Sequence, residues 1–162
     1  MLRFRQFVAF LFLIAFLMLS ISSCKDNEKD SQMDVKEVLN QVSLVDVDST
    51  LDCVSYYNDE MFKEHFKKLY GIEYNEISDG AVVYSSDSAC ASEVSILKAD
   101  DKSLNDVLEN RVNNRLKTFQ GYSPTEVKKI ENSCVFEYKG FYILIISDSV
   151  DAIKEKMQNT IS

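Results

Sequence analysis

The sequence predicts an α+β domain: an antiparallel sheet of about four strands, arranged as two hairpins flanking a long helix and packed by further helices. Three observations carry this. From Gly80 to Lys98, and again from Ser133 to Ser147, strand-length runs rich in β-branched and aromatic residues come in pairs separated by short turns. Between those pairs Leu104, Val107, Leu108, Val112, Leu116 and Phe119 share one stripe of a helix. Outside them, apolar residues recur at three and four.

In chain order, Val35, Val38, Leu39 and Val42 give an amphipathic helix from Asp34 to about Ser43. Leu44 to Asn58 mixes valines with aspartates and serines and supports no assignment. A second helix runs from about Asp59 to Tyr70, with Phe62, Phe66, Leu69 and Tyr70 on one side and Gly71 as its stop. Ala81–Ser86 and Ala91–Lys98 form a hairpin around Asp87-Ser88-Ala89, with Val94 and Ile96 facing away from Glu93 and Ser95. Ser103 is the expected N-cap of the long helix, with Asp106 three residues on, and Gly121 and Pro124 end it. A turn of helix follows around Thr125 to Ile130. Ser133–Tyr138 and Phe141–Ser147 are joined by Lys139-Gly140, where glycine supplies a positive φ. Phe141 to Ile146 is apolar on both faces and so belongs in the middle of the sheet. Asp148 or Ser149 caps a last helix carrying Val150, Ile153 and Met157.

The N-terminus sets the expected location. Arg3 and Arg5 precede thirteen unbroken apolar residues, Phe7 to Leu19, a run of signal-peptide length and short for a membrane span. Ile21-Ser22-Ser23-Cys24 resembles a bacterial lipobox: an aliphatic residue three before the cysteine, small residues between, and a thiol that takes a diacylglycerol before the chain is cut. The expected organisation is a lipoprotein signal peptide over 1–23, lipidated Cys24 and a flexible tether over 24–33, and a globular α+β domain over 34–162. Cleavage before Cys24 leaves about 140 residues, the size of one domain with one core. Each buried acyl methylene contributes about 0.8 kcal/mol, so two or three chains on Cys24 hold the protein to the membrane unaided. The run Cys24 to Glu28 resembles a lysine-plus-acidic signal for lipoprotein export to the cell surface, or is plain solvation of the tether.

A formal charge of −8, more negative once Arg3 and Arg5 are removed, repels phosphate backbones and anionic headgroups. Nucleic acid is excluded as a partner on that ground. The expected partners are the membrane, through Cys24, and an envelope protein or cell-wall component. With Cys24 lipidated, Cys53, Cys90 and Cys134 remain, so at most one disulfide forms within the chain. Three idle thiols are the default, and a Cys90–Cys134 bridge is the alternative.

No catalytic set is complete. His65 is the single histidine, which removes a two-histidine metal site, and no Gly-x-Ser-x-Gly elbow is present. Ser95-Ile96-Leu97-Lys98 fits Ser-x-x-Lys, but on a strand the two side chains point to opposite faces. Asp46-Val47-Asp48-Ser49-Thr50-Leu51-Asp52 starts like a calcium loop yet has Leu51 where glycine is needed and Tyr57 in place of the closing glutamate. No metal or cofactor is expected. The remaining group is Glu93, Lys98, Arg111, Tyr122 and Asp148. Arg111 borders the buried stripe of the long helix, within reach of a carboxylate on the sheet, with Glu93 as a candidate partner. A structural ion pair with a packed tyrosine is the default, and a binding pocket using Glu93, Arg111 and Tyr122 is the alternative.

Several blocks match a known pattern in order. Leu69-Tyr70-Gly71-Ile72, Ala81 to Ser86 and Ala91 to Lys98 come first; Arg111, Phe119-Gln120-Gly121-Tyr122-Ser123-Pro124, Gly140-Phe141-Tyr142 and Ile145-Ile146-Ser147-Asp148 follow. Together they resemble a family of small bacterial lipoproteins, domain of unknown function 4358, over roughly Leu69 to Val150. Phe141 departs from the pattern, which has a polar residue there. The resemblance implies a lipoprotein signal, one domain and no assigned activity. The expected function is therefore that of a lipid-anchored extracytoplasmic protein, a non-enzymatic binding or interaction module at the cell envelope. The alternative is an envelope hydrolase using carboxylates, for which Asp and Glu abound without a pair at defined spacing. A two-lobed solute receptor needs a longer chain.

Overall fold

The computed structural model describes residues 33–100 and 103–162. The signal peptide, Cys24 and the tether lie outside the described residues. Among the described residues five helices and a five-stranded antiparallel sheet are present, in the order β1-β2-β3-β5-β4. The strands are β1 (Cys53–Tyr56), β2 (Asp79–Tyr84), β3 (Glu93–Lys98), β4 (Cys134–Tyr138) and β5 (Phe141–Ile146). The helices are α1 (Val35–Val42), α2 (Glu60–Tyr70), α3 (Asn105–Phe119), α4 (Pro124–Glu131) and α5 (Val150–Ile161).

The pleat sorts side chains onto two cores. Val94 and Ile96 of β3 and Phe141, Ile143 and Ile145 of β5 pack with α1 and α5 on one face. Leu97, Tyr142, Leu144 and Ile146 pack with α2, α3 and α4 on the other. Every residue of β5 is buried, as its two-faced apolar run requires. It lies between β3 and β4, paired through Ser95 with Leu144 and through Phe136 with Ile143.

The ends of the elements follow local chemistry. Asp34 caps α1 by accepting from the Glu37 amide at 2.7 Å. Gly71 stops α2 at φ 76°, a backbone conformation only glycine adopts freely. Lys139 and Gly140 both have positive φ, 48° and 78°, which matches the twist of a two-residue hairpin.

The sheet has one strand more than expected. β1 hides in the stretch from Leu44 to Asn58, behind a 3₁₀ turn at Leu44–Asp46. It is four residues long and pairs only with β2, and Val54 is exposed, so an edge strand of this kind leaves no continuous apolar signal. The capping expectations for α3 and α5 are also corrected. Leu104, buried against the second core, occupies the position before α3, and Ser103 Oγ accepts only a long 3.4 Å bond from the Asn105 amide. Neither Asp148 nor Ser149 caps α5 with its side chain: Asp148 turns to Lys129, and the Ser149 amide donates to Ser147 Oγ at 3.0 Å.

Candidate functional site

On the second face, α2 and α3 leave a cavity of about 380 Å³ above β2 and β3. Its apolar wall comes from α2, where four-residue spacing puts Phe62, Phe66 and Tyr70 in one row. Their rings stack at 4.9 and 4.8 Å between centroids. Leu69 and Val82 extend that wall.

The opposite wall is ionic. Glu93 opens β3 on this face and is buried. Arg111 grips it with a two-pronged fork, Nε donating to Oε1 at 2.9 Å and Nη2 to Oε2 at 2.6 Å. The Tyr70 hydroxyl donates to the same Oε1 at 3.0 Å and lies 2.7 Å from Ser95 Oγ. One turn along α3, Arg115 points the same way, and its Nη2 donates to the Cys90 carbonyl at 3.2 Å. Its Nε is 3.6 Å from Glu93 Oε2, within ion-pair range, yet this buried nitrogen has no hydrogen-bond partner. Both guanidinium groups also cover aromatic rings, Arg111 over Tyr70 and Arg115 over Phe119.

Titration follows this arrangement. Burial alone raises the Glu93 carboxyl, but the Arg111 charge and its hydrogen bonds outweigh burial and hold the group ionised below its ordinary range. Burial, then Glu93, pushes the Tyr70 hydroxyl well above its usual value. Arg111 is raised, since Glu93 more than offsets its desolvation. Arg115 is lowered, because burial and the neighbouring Arg111 charge exceed what Glu93 returns. Two part-buried guanidinium groups thus share one carboxylate, and Arg115 is the less compensated of them.

A second polar cluster lies where α4 meets the ends of β3 and β5. Lys129 is buried and its Nζ is 3.2 Å from each of Glu126 Oε2, Asp148 Oδ2 and Ser92 Oγ. Glu126 also accepts from the Ala91 amide at 2.7 Å. Ser92 Oγ continues to Thr50, which donates to Asp48, and Asp48 accepts from Ser147. Burial opposes the Lys129 charge, but Asp148 and Glu126 raise its pKa above the ordinary value. Cys90 Sγ is 3.7 Å from Lys129 Nζ; burial raises the thiol, and the hydrogen bonds to Ser92, with help from Lys129, bring it below its usual range.

Of the residues singled out in sequence, Glu93 and Arg111 meet at the cavity. Lys98 ends the same strand and sits over the Phe141 ring, away from them. Tyr122 packs on Phe119 at 5.2 Å and stays 59% exposed, and it does not line the cavity. Asp148 serves Lys129. His65 stands exposed at the cavity, its Nδ1 donating to the Met61 carbonyl at 2.9 Å. Among the described residues no group of three or more His, Cys, Asp or Glu is placed to hold a metal ion. The acidic run of residues 46–52 is dispersed: Asp46 accepts from Ser43, Asp48 from Ser147 and Thr50, and Asp52 from Ser86. Cys53, Cys90 and Cys134 are free thiols. Arg115, Tyr70 and Lys129 were not legible as site residues. Arg115 had a usable signal, its four-residue spacing from Arg111; the contacts of Lys129 come from three separate elements.

The family model for the domain of unknown function DUF4358 matches residues 52–148, more than half of the chain. The chain belongs to the DUF4358 family. The match runs from β1 to the end of β5 and takes in α2, α3 and α4, so every residue lining the cavity lies inside the DUF4358 domain, while α1 and α5 lie outside it. No curated protein and no solved structure matches the chain. Among the described residues no helix is long and apolar enough to cross a membrane.

Proposed function

We propose that this DUF4358 protein is a lipid-anchored extracytoplasmic binding module that holds a ligand in the cavity between α2, α3 and the sheet. The observation that carries the binding part is the cavity itself, an apolar lining beside two part-buried arginines that share one carboxylate. Glu93 argues for binding over carboxylate hydrolysis. Its carboxyl is held below its ordinary range, with Oε1 accepting from Arg111 and Tyr70 and Oε2 from Arg111, so it serves as the anchor of Arg111 and holds no proton to donate. The lipobox ending at Cys24 and the acidic charge support the anchor and an envelope partner, with no contribution from nucleic acid.

Membrane partition and intact mass of the full chain, wild type beside Cys24→Ala, test the anchor. The expected result is a diacylglyceryl mass and membrane association in the wild type, and a soluble or uncleaved variant. Identical behaviour of the two contradicts the anchoring reading.

A further inference from the structure

The geometry points to a specific ligand class for this cavity: a small organic monocarboxylate with an apolar, preferably aromatic, body, its carboxylate paired to Arg115. The inference rests on the cavity being a binding site and adds what it binds. Three independent features converge on it.

The first is charge. Arg111 and Arg115 bring two positive charges to the inner lining and Glu93 returns one, while the other carboxylate of the lining, Asp87, is exposed to water and accepts from the Ala89 amide at 2.9 Å, as His65 is exposed too. The surplus beside Glu93 is a single charge, which suits a monoanion. The second is an unmet donor. Arg111 is committed to Glu93 by two hydrogen bonds, whereas Arg115 spends one donor on the Cys90 carbonyl and leaves its buried Nε without a hydrogen-bond acceptor. Arg115 lines the cavity with a charge that the fold compensates only in part, so a carboxylate arriving there pairs with the guanidinium while the buried Nε stays beside Glu93. The third is shape and surface. About 380 Å³ accommodates roughly a dozen non-hydrogen atoms at about 30 Å³ each. The apolar lining, with Met61 60% exposed beside Leu69 and the Phe62, Phe66 and Tyr70 row, gives a ring or chain apolar contact. A polyanion such as a nucleotide overcharges this site, and a cation meets two like charges. The Lys129 cluster makes no comparable demand, because its cation already faces two carboxylates.

The test is isothermal titration of the full chain in nanodiscs of zwitterionic lipid, corrected with empty nanodiscs, against three matched probes: 4-phenylbutyrate, 4-phenylbutan-1-ol and 4-phenylbutylamine. The acid is expected to bind at least tenfold more tightly than the alcohol or the amine. Arg115→Gln is expected to lose that preference while retaining the wild-type thermal midpoint to within a few degrees. Should that variant fail to fold, the probe series on the wild type decides alone. Equal binding of all three probes overturns the carboxylate and leaves the cavity as a binding site. Binding of none overturns the binding site as well as the ligand class.

Discussion

The molecule buries cations in two places on the same face of its sheet, and the two are finished differently. At Lys129 one ammonium meets Glu126, Asp148 and the Ser92 hydroxyl, all at 3.2 Å, and Glu126 in turn accepts from the Ala91 amide. At β3 two guanidinium groups meet a single carboxylate, Glu93, with the Cys90 carbonyl as a neutral acceptor, and one buried nitrogen is left without an acceptor. A saturated cluster of the first kind ties elements together: it fastens α4 to the ends of β3 and β5. An unsaturated cluster beside a cavity is where the proposed ligand pairs. On this proposal it is the count of acceptors, and not burial of charge alone, that separates the two clusters.

The comparison breaks most visibly at Arg111. Arg111→Met leaves Glu93 ionised, buried and without its fork, at a cost of about 3–5 kcal/mol, or about 10–20 °C in thermal midpoint. Adding Glu93→Leu to Arg111→Met is expected to recover at least half of that loss, measured by denaturant unfolding of the two variants. Lys129→Met comes next, at about 1–3 kcal/mol on the same measurement, because Asp148 is 74% exposed and turns to water while Glu126 keeps the Ala91 amide. Arg115→Gln is the smallest, within about 1 kcal/mol of wild type, since it removes a charge that the protein does not fully compensate.

Acid and alkali sharpen the same contrast. The Glu93 carboxyl titrates lower in the fold than in the unfolded chain, so its contribution is fully present above the ordinary carboxylate range and is lost as pH falls through the depressed folded value. The Lys129 ammonium titrates higher in the fold, so its contribution is complete below the ordinary lysine range and is lost as pH rises through the elevated folded value. Thermal midpoints across pH are expected to fall at both ends. Lys129→Met is expected to lessen the alkaline fall, to which the raised Tyr70 hydroxyl also contributes, and to leave the acid limb in place.

Much of this was legible in sequence, and the reasons differ by element. The two hairpins and α3 announced themselves through long periodic runs, and β5 through being apolar on both faces. Period-two alternation put Glu93 and Ser95 on the face opposite Val94 and Ile96, and helix spacing put Arg111 at the border of its stripe, so the Glu93–Arg111 pair was within reach before any coordinates. β1 was not, since four residues at a sheet edge with an exposed valine carry too little pattern. The cavity was not legible either. Its lining comes from α2, α3, the strands and the loop before β3, and the unmet nitrogen of Arg115 is a property of three-dimensional neighbours, as are the partners of Lys129.

The most direct test of the central claim is thermal unfolding of the full chain, wild type and Arg115→Gln, each with and without saturating 4-phenylbutyrate. Ligand at a hundred times its Kd stabilises a fold by about 2.7 kcal/mol. The wild-type midpoint is therefore expected to rise by several degrees with the acid, and Arg115→Gln to match the unliganded wild type within a few degrees and not to respond. A variant as unstable as Arg111→Met, with a wild type indifferent to the acid, contradicts the account and makes Arg115 a structural residue like Lys129.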